Sequence, residues 1–271
     1  MTQAKFTLCR RLNVLIVIFS GISLSQCRTT GQSSDAKIYG GKQAVSGSWP
    51  NVVAITDREG MYCSGTVVTP KLIVTAAHCL LDRKAEDIAV YVGDGAESNT
   101  EINDVFGDYV PKKIEIHPRY GETFPSNDVG YILMENPLPI AQGTLITALK
   151  DSKEVREVMT VGYPGTVVGF GYRELGVFGL KFQMESTIRT VGESEFTFGG
   201  GGKDTCIGDS GGPLFLKLKS GGWRFAGITS RGSNGDVCGP GGIYGIVEKH
   251  LCWISKNSGE EFKFSRELCA K

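Results

Sequence analysis

The chain has 271 residues, of which 41% are hydrophobic and 21% charged, a composition typical of a globular protein and unlike that of a disordered or fibrous one. Its 29 basic and 29 acidic side chains cancel, so charge gives no reason to expect nucleic acid as a partner. The length suits one large all-β domain, and the 37 glycines suit many tight turns between short strands.

The first residues have the pattern of an export signal. Three basic residues, Lys5, Arg10 and Arg11, precede a mostly apolar run that ends at Leu24. That run is too short to span a bilayer comfortably, which favours a cleaved signal peptide at 1–27 over a segment that stays in the membrane. Residues 28–37 are polar and predict a linker or short propeptide. We therefore expect a secreted protein, or one of the periplasm or cell envelope.

Cys27 has a second interpretation. The segment Leu24-Ser25-Gln26-Cys27 resembles the lipobox of bacterial lipoproteins, except that Gln26 stands where a small residue is usual. In such proteins the cysteine is lipidated and becomes the mature N-terminus, which would make the source bacterial and attach the chain to a membrane through Cys27 alone. Ordinary cleavage near this point would instead leave a soluble protein, and both interpretations stay open.

Cys9 lies inside the signal, and six cysteines follow Cys27: Cys63, Cys79, Cys206, Cys238, Cys252 and Cys269. An even number in an exported chain predicts disulfides, although spacing alone allows about fifteen pairings. A metal site is the competing interpretation. The sequence has no CxxC or HxxxH spacing and only 3 histidines, so we expect no metal.

Short β-branched and aromatic runs, bounded by turn residues, follow the linker. In chain order the predicted strands are Val52–Thr56, Thr66–Val68, Leu72–Thr75, Ile88–Val92, Lys113–Ile116, Val129–Met134, Val158–Val161, Phe182–Thr190, Pro213–Leu218, Arg224–Thr229 and Ile243–Val247. Helical periodicity is found only at Val247–Lys256. This pattern predicts an antiparallel β-barrel architecture with one terminal helix, and periodicity does not decide between one barrel and two.

Three segments carry groups for nucleophilic catalysis. Ser210 lies in Gly208-Asp209-Ser210-Gly211-Gly212-Pro213, where the glycines permit a sharp turn that can bring backbone N–H groups close to a substrate carbonyl. A serine hydroxyl needs a base to take its proton, and His78 follows an apolar run in Thr75-Ala76-Ala77-His78-Cys79. Asp128 stands at the head of another predicted strand. Each segment alone has an ordinary structural explanation, but the three together in this order indicate a triad.

These motifs resemble those of the chymotrypsin/trypsin family of serine proteases, over a span from Ile38 to about Ile254. The resemblance implies two six-stranded antiparallel β-barrels with a C-terminal α-helix, and a triad in the cleft between the barrels. It implies that Ser210 is the nucleophile and His78 the base, with Asp128 orienting the imidazole. It further implies that the N–H groups of Gly208 and Ser210 form the oxyanion hole.

The start of the resemblance implies activation by proteolysis. Lys37-Ile38-Tyr39-Gly40-Gly41 is similar to the family's activation site, with Tyr39 where valine is more usual. Cleavage after Lys37 would free the amino group of Ile38, which pairs in the family with the acid before the nucleophile, here Asp209. The uncut chain is then expected to be a zymogen, in which Gly199–Gly202 belongs to the region that orders on activation.

Other positions of the resemblance concern specificity. Asp204 matches the floor of the primary pocket, where a carboxylate selects Arg or Lys before the scissile bond. Gly232 and Gly242 match the glycines that keep this pocket open, although the alignment around Gly241–Gly242 can be shifted by one residue. Ser230 matches the serine that supports the triad carboxylate. Arg231 departs from the family, which usually has an aromatic residue there, and we expect it to disfavour basic residues upstream of the scissile bond and to favour acidic ones.

The resemblance also implies the disulfides Cys63–Cys79 and Cys206–Cys238, which leaves Cys252–Cys269 to staple a tail beyond the terminal helix. His117 is expected to be structural and His250 to lie at the surface. No cofactor is implied, and the expected partners of this monomer are protein or peptide substrates and protease inhibitors. A catalytically dead homologue that only binds, and an esterase or a protease of another specificity, are the alternatives.

Overall fold

The computed structural model describes residues 38–98, 106–121, 127–172 and 178–269. The predicted signal at 1–27, with Cys27, and the linker at 28–37, with Lys37, lie outside the described residues. Within the described ranges, no helix has both the length and the apolar character needed to cross a membrane.

Strands dominate the described part of the chain. In chain order they are β1 (Lys42–Gln43), β2 (Val52–Asp57), β3 (Gly60–Thr69), β4 (Leu72–Thr75), β5 (Ala89–Tyr91), β6 (Gly95–Ser98), β7 (Pro111–Ile116), β8 (Gly130–Met134), β9 (Pro164–Gly169), β10 (Phe178–Leu180), β11 (Phe182–Val191), β12 (Glu195–Phe198), β13 (Pro213–Lys217), β14 (Trp223–Asp236) and β15 (Gly242–Ile246). The helices are α1 (Ser152–Val158) and α2 (Leu251–Ser258), with 3₁₀ turns at Ala85–Asp87, Gln142–Thr144, Val247–Lys249 and Arg266–Cys269.

Two antiparallel sheets form the body of the protein. The first has the order β5-β2-β3-β4-β8-β7 and curls until Val90 and Tyr109 form a bridge. In the second, the order β11-β12-β15-β14-β13-β9 closes on itself because β9 also pairs with β11, and β1 adds to the outside of β11. Strands β6 and β10 pair separately. The described structure is thus one closed six-stranded barrel and one curled half-barrel, which confirms the predicted mostly-β fold with a C-terminal helix.

Two apolar cores are buried, and the first of them also takes in Phe215 and Phe225 of the second sheet. Ile55, Ile73 and Tyr131 are fully buried in the core that contains the first sheet, while Phe198 and Tyr244 are fully buried in the second. Strand β4 is buried at every position, which explains why its sequence does not alternate between apolar and polar residues. The loops after β4 and before β13 both line a cleft at these sheets.

One predicted strand was wrong. Val158–Val161 is the end of α1 and the turn after it, and the strand of this region, β9, starts at Pro164. The Asp151 side chain caps α1 by accepting hydrogen bonds from the backbone N–H groups of Lys153 and Glu154, both at 2.9 Å. This local cap stabilises a helix that the β-branched residues alone would disfavour.

The position predicted for His250 was also wrong. It is 4% exposed, and its ring lies 5.3 Å from the ring of His117, centroid to centroid. Burial lowers the pKa of His250 to about 3, so the ring is neutral at physiological pH. His117 is 9% exposed and packs on Trp253 of α2 at 4.8 Å, as expected for a structural residue.

The three predicted disulfides are present: Cys63–Cys79, Cys206–Cys238 and Cys252–Cys269. The last one ties α2 to the tail that follows it. Phe262 and Phe264 of this tail pack on the first core, and Thr69 donates a hydrogen bond to the Glu260 carboxylate at 2.7 Å. The tail is therefore part of the folded domain.

Removal of the tail disulfide tests this conclusion. Because Cys252 and Cys269 are 17 residues apart, the double change Cys252→Ser and Cys269→Ser is expected to lower the free energy of unfolding by about 3 kcal/mol through the freedom gained by the unfolded chain. Urea denaturation of the two proteins measures the difference. An unchanged free energy of unfolding would show that the staple contributes nothing to the domain.

Candidate active site

A cavity of about 570 Å³ opens between the two sheets. Residues from the loop after β4, the loop before β13, and β14 and β15 line it, among them His78, Thr205, Ser210, Ser230, Arg231, Gly232, Ser233 and Ile243. Two of the three predicted triad residues, His78 and Ser210, thus face the same space.

The first sheet brings His78 and Asp128 together. His78 follows β4 and Asp128 precedes β8, and these strands pair with Thr75 opposite Gly130. The His78 Nδ1 atom lies 2.8 Å from Asp128 Oδ2, and the His78 backbone N–H donates to Asp128 Oδ1 at 3.0 Å. The disulfide of Cys79, the next residue, further fixes this loop to β3.

Asp128 is 6% exposed, and its second partner comes from the other sheet. The Ser230 hydroxyl on β14 donates to Asp128 Oδ2 at 2.6 Å. Burial acts to raise the pKa of this carboxyl group, but the hydrogen bond and charge of His78 and the hydrogen bond from Ser230 outweigh burial and lower the pKa below its ordinary value. An ionised Asp128 keeps the proton of the imidazole on Nδ1 and leaves Nε2 to accept another.

Backbone hydrogen bonds hold the loop that carries Ser210. Its carbonyl accepts from the Ser64 N–H at 2.8 Å, and the next N–H, of Gly211, donates to the Thr229 carbonyl at 2.8 Å. Gly211 has φ 77°, and a Cβ there would lie 2.0 Å from Thr75 Oγ1, so this position requires glycine. The loop is therefore anchored to both sheets.

Ser64 is a site residue that sequence reasoning missed. Its hydroxyl donates to the Gly208 carbonyl at 3.0 Å and accepts from the Phe170 N–H at 3.3 Å. These bonds fix the orientation of the peptide unit between Gly208 and Asp209, in the loop that carries Ser210. Nothing in its residue type distinguishes Ser64 from any other serine in a strand.

The N–H groups of Gly208 and Ser210 donate to no acceptor among the described residues. Gly208 adopts φ 93°, a conformation that favours glycine. Two unpaired backbone donors beside a serine hydroxyl are the elements of an oxyanion hole.

Asp209 points away from the cavity into the protein and is 1% exposed. Its Oδ1 accepts from the Gly171 N–H at 2.8 Å and its Oδ2 from the Cys206 N–H at 2.9 Å. Among the described residues, no cationic group pairs with this carboxylate. Burial therefore raises its pKa to about 7.

The segment that begins at Ile38 is folded into the second sheet's core. Ile38 is fully buried, and the Tyr39 carbonyl accepts from the Asp204 N–H at 3.0 Å. A Cβ on Gly40 would lie 2.7 Å from the Gly202 carbonyl oxygen. The Ile38 segment thus packs against the Gly199–Gly202 run, all of which has positive φ.

Asp204 is fully buried beneath the cavity. Its neighbours Thr205 and Cys206 line the cavity, although Asp204 itself does not. The N–H groups of Gly239 and Gly241 donate to Oδ2, both at 2.9 Å, while no described group hydrogen-bonds to Oδ1. Burial raises the pKa of this carboxyl group and outweighs the opposite effect of the backbone N–H groups of Gly239, Gly241 and Thr205.

The two pocket glycines lie where a side chain would collide. A Cβ on Gly232 would lie 2.2 Å from the Gly235 carbonyl oxygen. A Cβ on Gly242 would lie 3.1 Å from Thr205 Oγ1 and 3.0 Å from the Tyr244 ring. Gly232 lines the cavity, whereas Gly242 is adjacent to Thr205, which lines it.

Arg231 lines the cavity with its charge paired. Its Nη1 and Nη2 donate to Glu195 Oε1 and Oε2 at 2.8 and 2.7 Å, and Nη1 also lies 3.3 Å from Ser230 Oγ. Sequence reasoning missed Glu195, which lies 36 residues away on β12.

One group of potential metal ligands occurs among the described residues, formed by Cys63, His78 and Cys79. Because both sulfur atoms belong to the Cys63–Cys79 disulfide, neither is a thiolate that could bind a metal ion.

Comparisons with known proteins agree with this geometry. The Trypsin family model matches residues 38–254. Trypsin eta of Drosophila melanogaster is 29% identical over 267 residues, which are 90% of this chain and 96% of that protein. The proclotting enzyme of Tachypleus tridentatus is 24% identical over 251 residues, 83% of this chain and 67% of that protein.

A third relative, ovochymase of Halocynthia roretzi, is 28% identical over 259 residues. The match covers 87% of this chain but only 16% of ovochymase. All three relatives come from animals, so they give no support to the bacterial source that the lipobox-like segment suggested. The match of the family model over most of the chain shows that this protein belongs to the trypsin family of serine proteases.

Proposed function

We propose that this protein is an exported serine endopeptidase that cleaves peptide bonds after Arg or Lys through an acyl-enzyme. The observation that carries the proposal is the cavity that His78 and Ser210 line together, with His78 held 2.8 Å from the buried Asp128. Membership of the trypsin family supports the reaction class.

In the proposed reaction, Ser210 Oγ attacks the scissile carbonyl carbon while His78 Nε2 takes the hydroxyl proton. Asp128 stabilises the imidazolium ion so formed, and the N–H groups of Gly208 and Ser210 donate to the developing oxyanion. The imidazolium then gives its proton to the leaving amine, and the C–N bond breaks. Water then enters and loses a proton to His78 while its oxygen attacks the acyl carbon. The bond from that carbon to Ser210 Oγ breaks, and His78 gives the proton to Ser210 Oγ, which restores the starting state.

A pair of serine substitutions tests the nucleophile. Ser210→Ala is expected to lower kcat by a factor on the order of 10⁴ to 10⁶, because no other group can form the acyl-enzyme. Ser233→Ala is the matched control, since Ser233 lines the same cavity and has no proposed role. Turnover of Arg and Lys ester substrates by the cleaved protein measures both. Equal activity in Ser210→Ala and the parent would remove Ser210 from the mechanism.

The specificity for Arg or Lys rests on Asp204. A fully buried carboxylate with one oxygen free of hydrogen bonds is expensive unless a cation compensates it. A guanidinium or ammonium group that enters between Thr205 and Gly232 would supply that compensation. Gly232, which lines the cavity, adds no side chain to this path.

The change Asp204→Asn tests this assignment. The Asn oxygen can still accept from the Gly239 and Gly241 N–H groups, so folding is expected to be kept while the negative charge is lost. We expect kcat/KM for Arg and Lys substrates to fall by about 10² to 10⁴, which corresponds to removing one partner of a buried ion pair. Substrates with Tyr or Leu before the scissile bond are the control, and an equal loss on all substrates would argue against a charge-selective pocket.

The subsite preference that we predicted from Arg231 stays a prediction, in a weaker form. Glu195 pairs with both terminal nitrogens of Arg231, so a substrate meets a neutral pair. A bias toward acidic residues upstream of the scissile bond is therefore expected to be small in the parent protein.

We also propose that the chain is made as a zymogen and is activated by cleavage after Lys37. The buried Asp209 has two backbone donors and no described cationic partner, and the segment from Ile38 is already packed in the interior. A new ammonium group at Ile38 would be the cation that this carboxylate lacks. Pairing of Ile38 with Asp209 would then hold Gly208 and Ser210 in the geometry of the oxyanion hole.

The pH dependence of stability tests the activation proposal. In the uncut chain the Asp209 pKa is raised to about 7, so the folded state binds a proton that the unfolded state releases near pH 4. Stability from this group is therefore present at low pH and is lost as pH rises toward about 7. In the cut chain the ammonium group lowers the pKa of Asp209, and this loss is expected to disappear.

The measurement is urea denaturation of the Ser210→Ala protein between pH 4 and 8, before and after cleavage after Lys37 with an added protease. N-terminal sequencing confirms Ile38 as the new terminus, and Lys37→Gln is the uncleavable control. Asp209→Asn should remove the difference between cut and uncut chains. Identical pH profiles for cut and uncut protein would contradict the pairing.

Export supplies the oxidising environment that the three disulfides need. We propose that the signal is cleaved near Cys27. The mature protein then begins either with a lipidated Cys27 or with an unmodified residue. Mass spectrometry of its N-terminal peptide distinguishes a lipid on Cys27 from an unmodified terminus.

A further inference from the structure

A charge pair lies beside the candidate triad and is coupled to it by hydrogen bonds. We propose that Arg231 and Glu195 are positioning residues that act through Ser230 to set how strongly Asp128 holds the proton of His78. This inference rests on the proposed function, because it concerns the same triad.

The coupling is a continuous chain of polar contacts. Arg231 Nη1 donates to Ser230 Oγ at 3.3 Å, Ser230 Oγ donates to Asp128 Oδ2 at 2.6 Å, and Asp128 Oδ2 lies 2.8 Å from His78 Nδ1. A hydroxyl that accepts from a cation becomes a stronger donor to its own acceptor. Arg231 therefore strengthens the bond from Ser230 to Asp128 and leaves less negative charge on Asp128 for the imidazolium.

Glu195 opposes this effect. Its carboxylate binds both terminal nitrogens of Arg231, with side chains 23% and 27% exposed, so the pair is partly shielded from water. Arg231 lies on β14 and Glu195 on β12, and β15 separates these strands. The ion pair spans β15 and holds the guanidinium group against Ser230.

The two charges do not cancel at the triad. Arg231 contacts Ser230 directly at 3.3 Å, whereas Glu195 reaches Ser230 only through Arg231. Coulomb energies fall with distance, so the cation has the larger effect on Asp128 and His78. Removal of either member alone should thus change the proton affinity of His78, and in opposite directions.

Tyr120 and His250, whose electrostatic surroundings include Asp128, are neutral at the pH of interest. Burial raises the pKa of Tyr120, whose electrostatic surroundings include both Asp128 and Arg231. Burial lowers the pKa of His250, which faces Asp128, His117, Arg119 and Lys249, to about 3. These groups are unchanged in the variants below, so their effects cancel in each comparison.

Proton NMR of the histidine rings gives a direct readout. The chain has 3 histidines, so the ring signals are few, and an added His78→Gln spectrum assigns the signals of His78. In the full chain carrying Ser210→Ala, which needs no substrate, Arg231→Met is expected to move the His78 titration to higher pH. Glu195→Gln is expected to move it to lower pH, each by a few tenths of a pH unit at low salt.

Two further variants separate charge from structure. Arg224 and Glu154 form a second bidentate pair, with both side chains 14% exposed, that contacts no triad residue, so Arg224→Met should leave the His78 titration unchanged. Arg231→Lys keeps the charge and should restore part of the parent midpoint. If Arg231→Met does not fold, Arg231→Gln takes its place.

The acidic limb of the kcat/KM profile should move in the same directions in the proteins that retain Ser210. Shifts of the same sign in Arg231→Met and Glu195→Gln, or no shift in either, would overturn the proposal. Unchanged turnover in Ser210→Ala would instead refute the proposed function and leave the NMR result on Arg231 and Glu195 standing.

Discussion

Burial of carboxylates is the constraint on which this site depends. Asp128, Asp204 and Asp209 are each at most 6% exposed, and a buried charge is costly unless partners compensate it. Asp128 has His78 and Ser230 as partners, so its pKa is lowered. Asp204 and Asp209 have only backbone N–H donors among the described residues, and their pKa values are raised. The charge of Asp128 is thus already compensated, whereas Asp204 and Asp209 would each be stabilised by pairing with a cation. This difference suits the three carboxylates to different roles.

Two hydrogen bonds at the site connect the two sheets. Asp128 belongs to the first sheet and receives the Ser230 hydroxyl from β14 of the second, across 102 positions of sequence. Ser64 of β3 likewise donates to the Gly208 carbonyl across 144 positions. These bonds are short-range in space and long-range in sequence, so they form only when both sheets are complete. A site assembled this way is only as precise as the packing of one sheet on the other.

Much of this arrangement was predictable where it depends on local sequence. The segments around His78, Asp128 and Ser210 are short motifs whose resemblance to a known family carried the fold, the disulfides and the candidate residues. Helix α1 was missed because its signal, the Asp151 cap, competes with a β-branched run that favours a strand. His250 was misplaced because a polar residue type gives no indication of burial beside His117. Glu195 could not be found, since no local pattern relates it to a partner 36 residues away.

Arg231 illustrates why residue type is not enough to predict what a charge does. Taken from the sequence, it is a cation in the cleft that should select the charge of the substrate. With Glu195 bound to both terminal nitrogens, it is one half of a pair that a substrate meets as neutral. From the side of Ser230 the same pair is unequal, because only the guanidinium group reaches the hydroxyl. Arg231, which departs from the family pattern, thus presents a neutral pair to the cleft that it lines, while its guanidinium group also contacts the serine that is bound to Asp128.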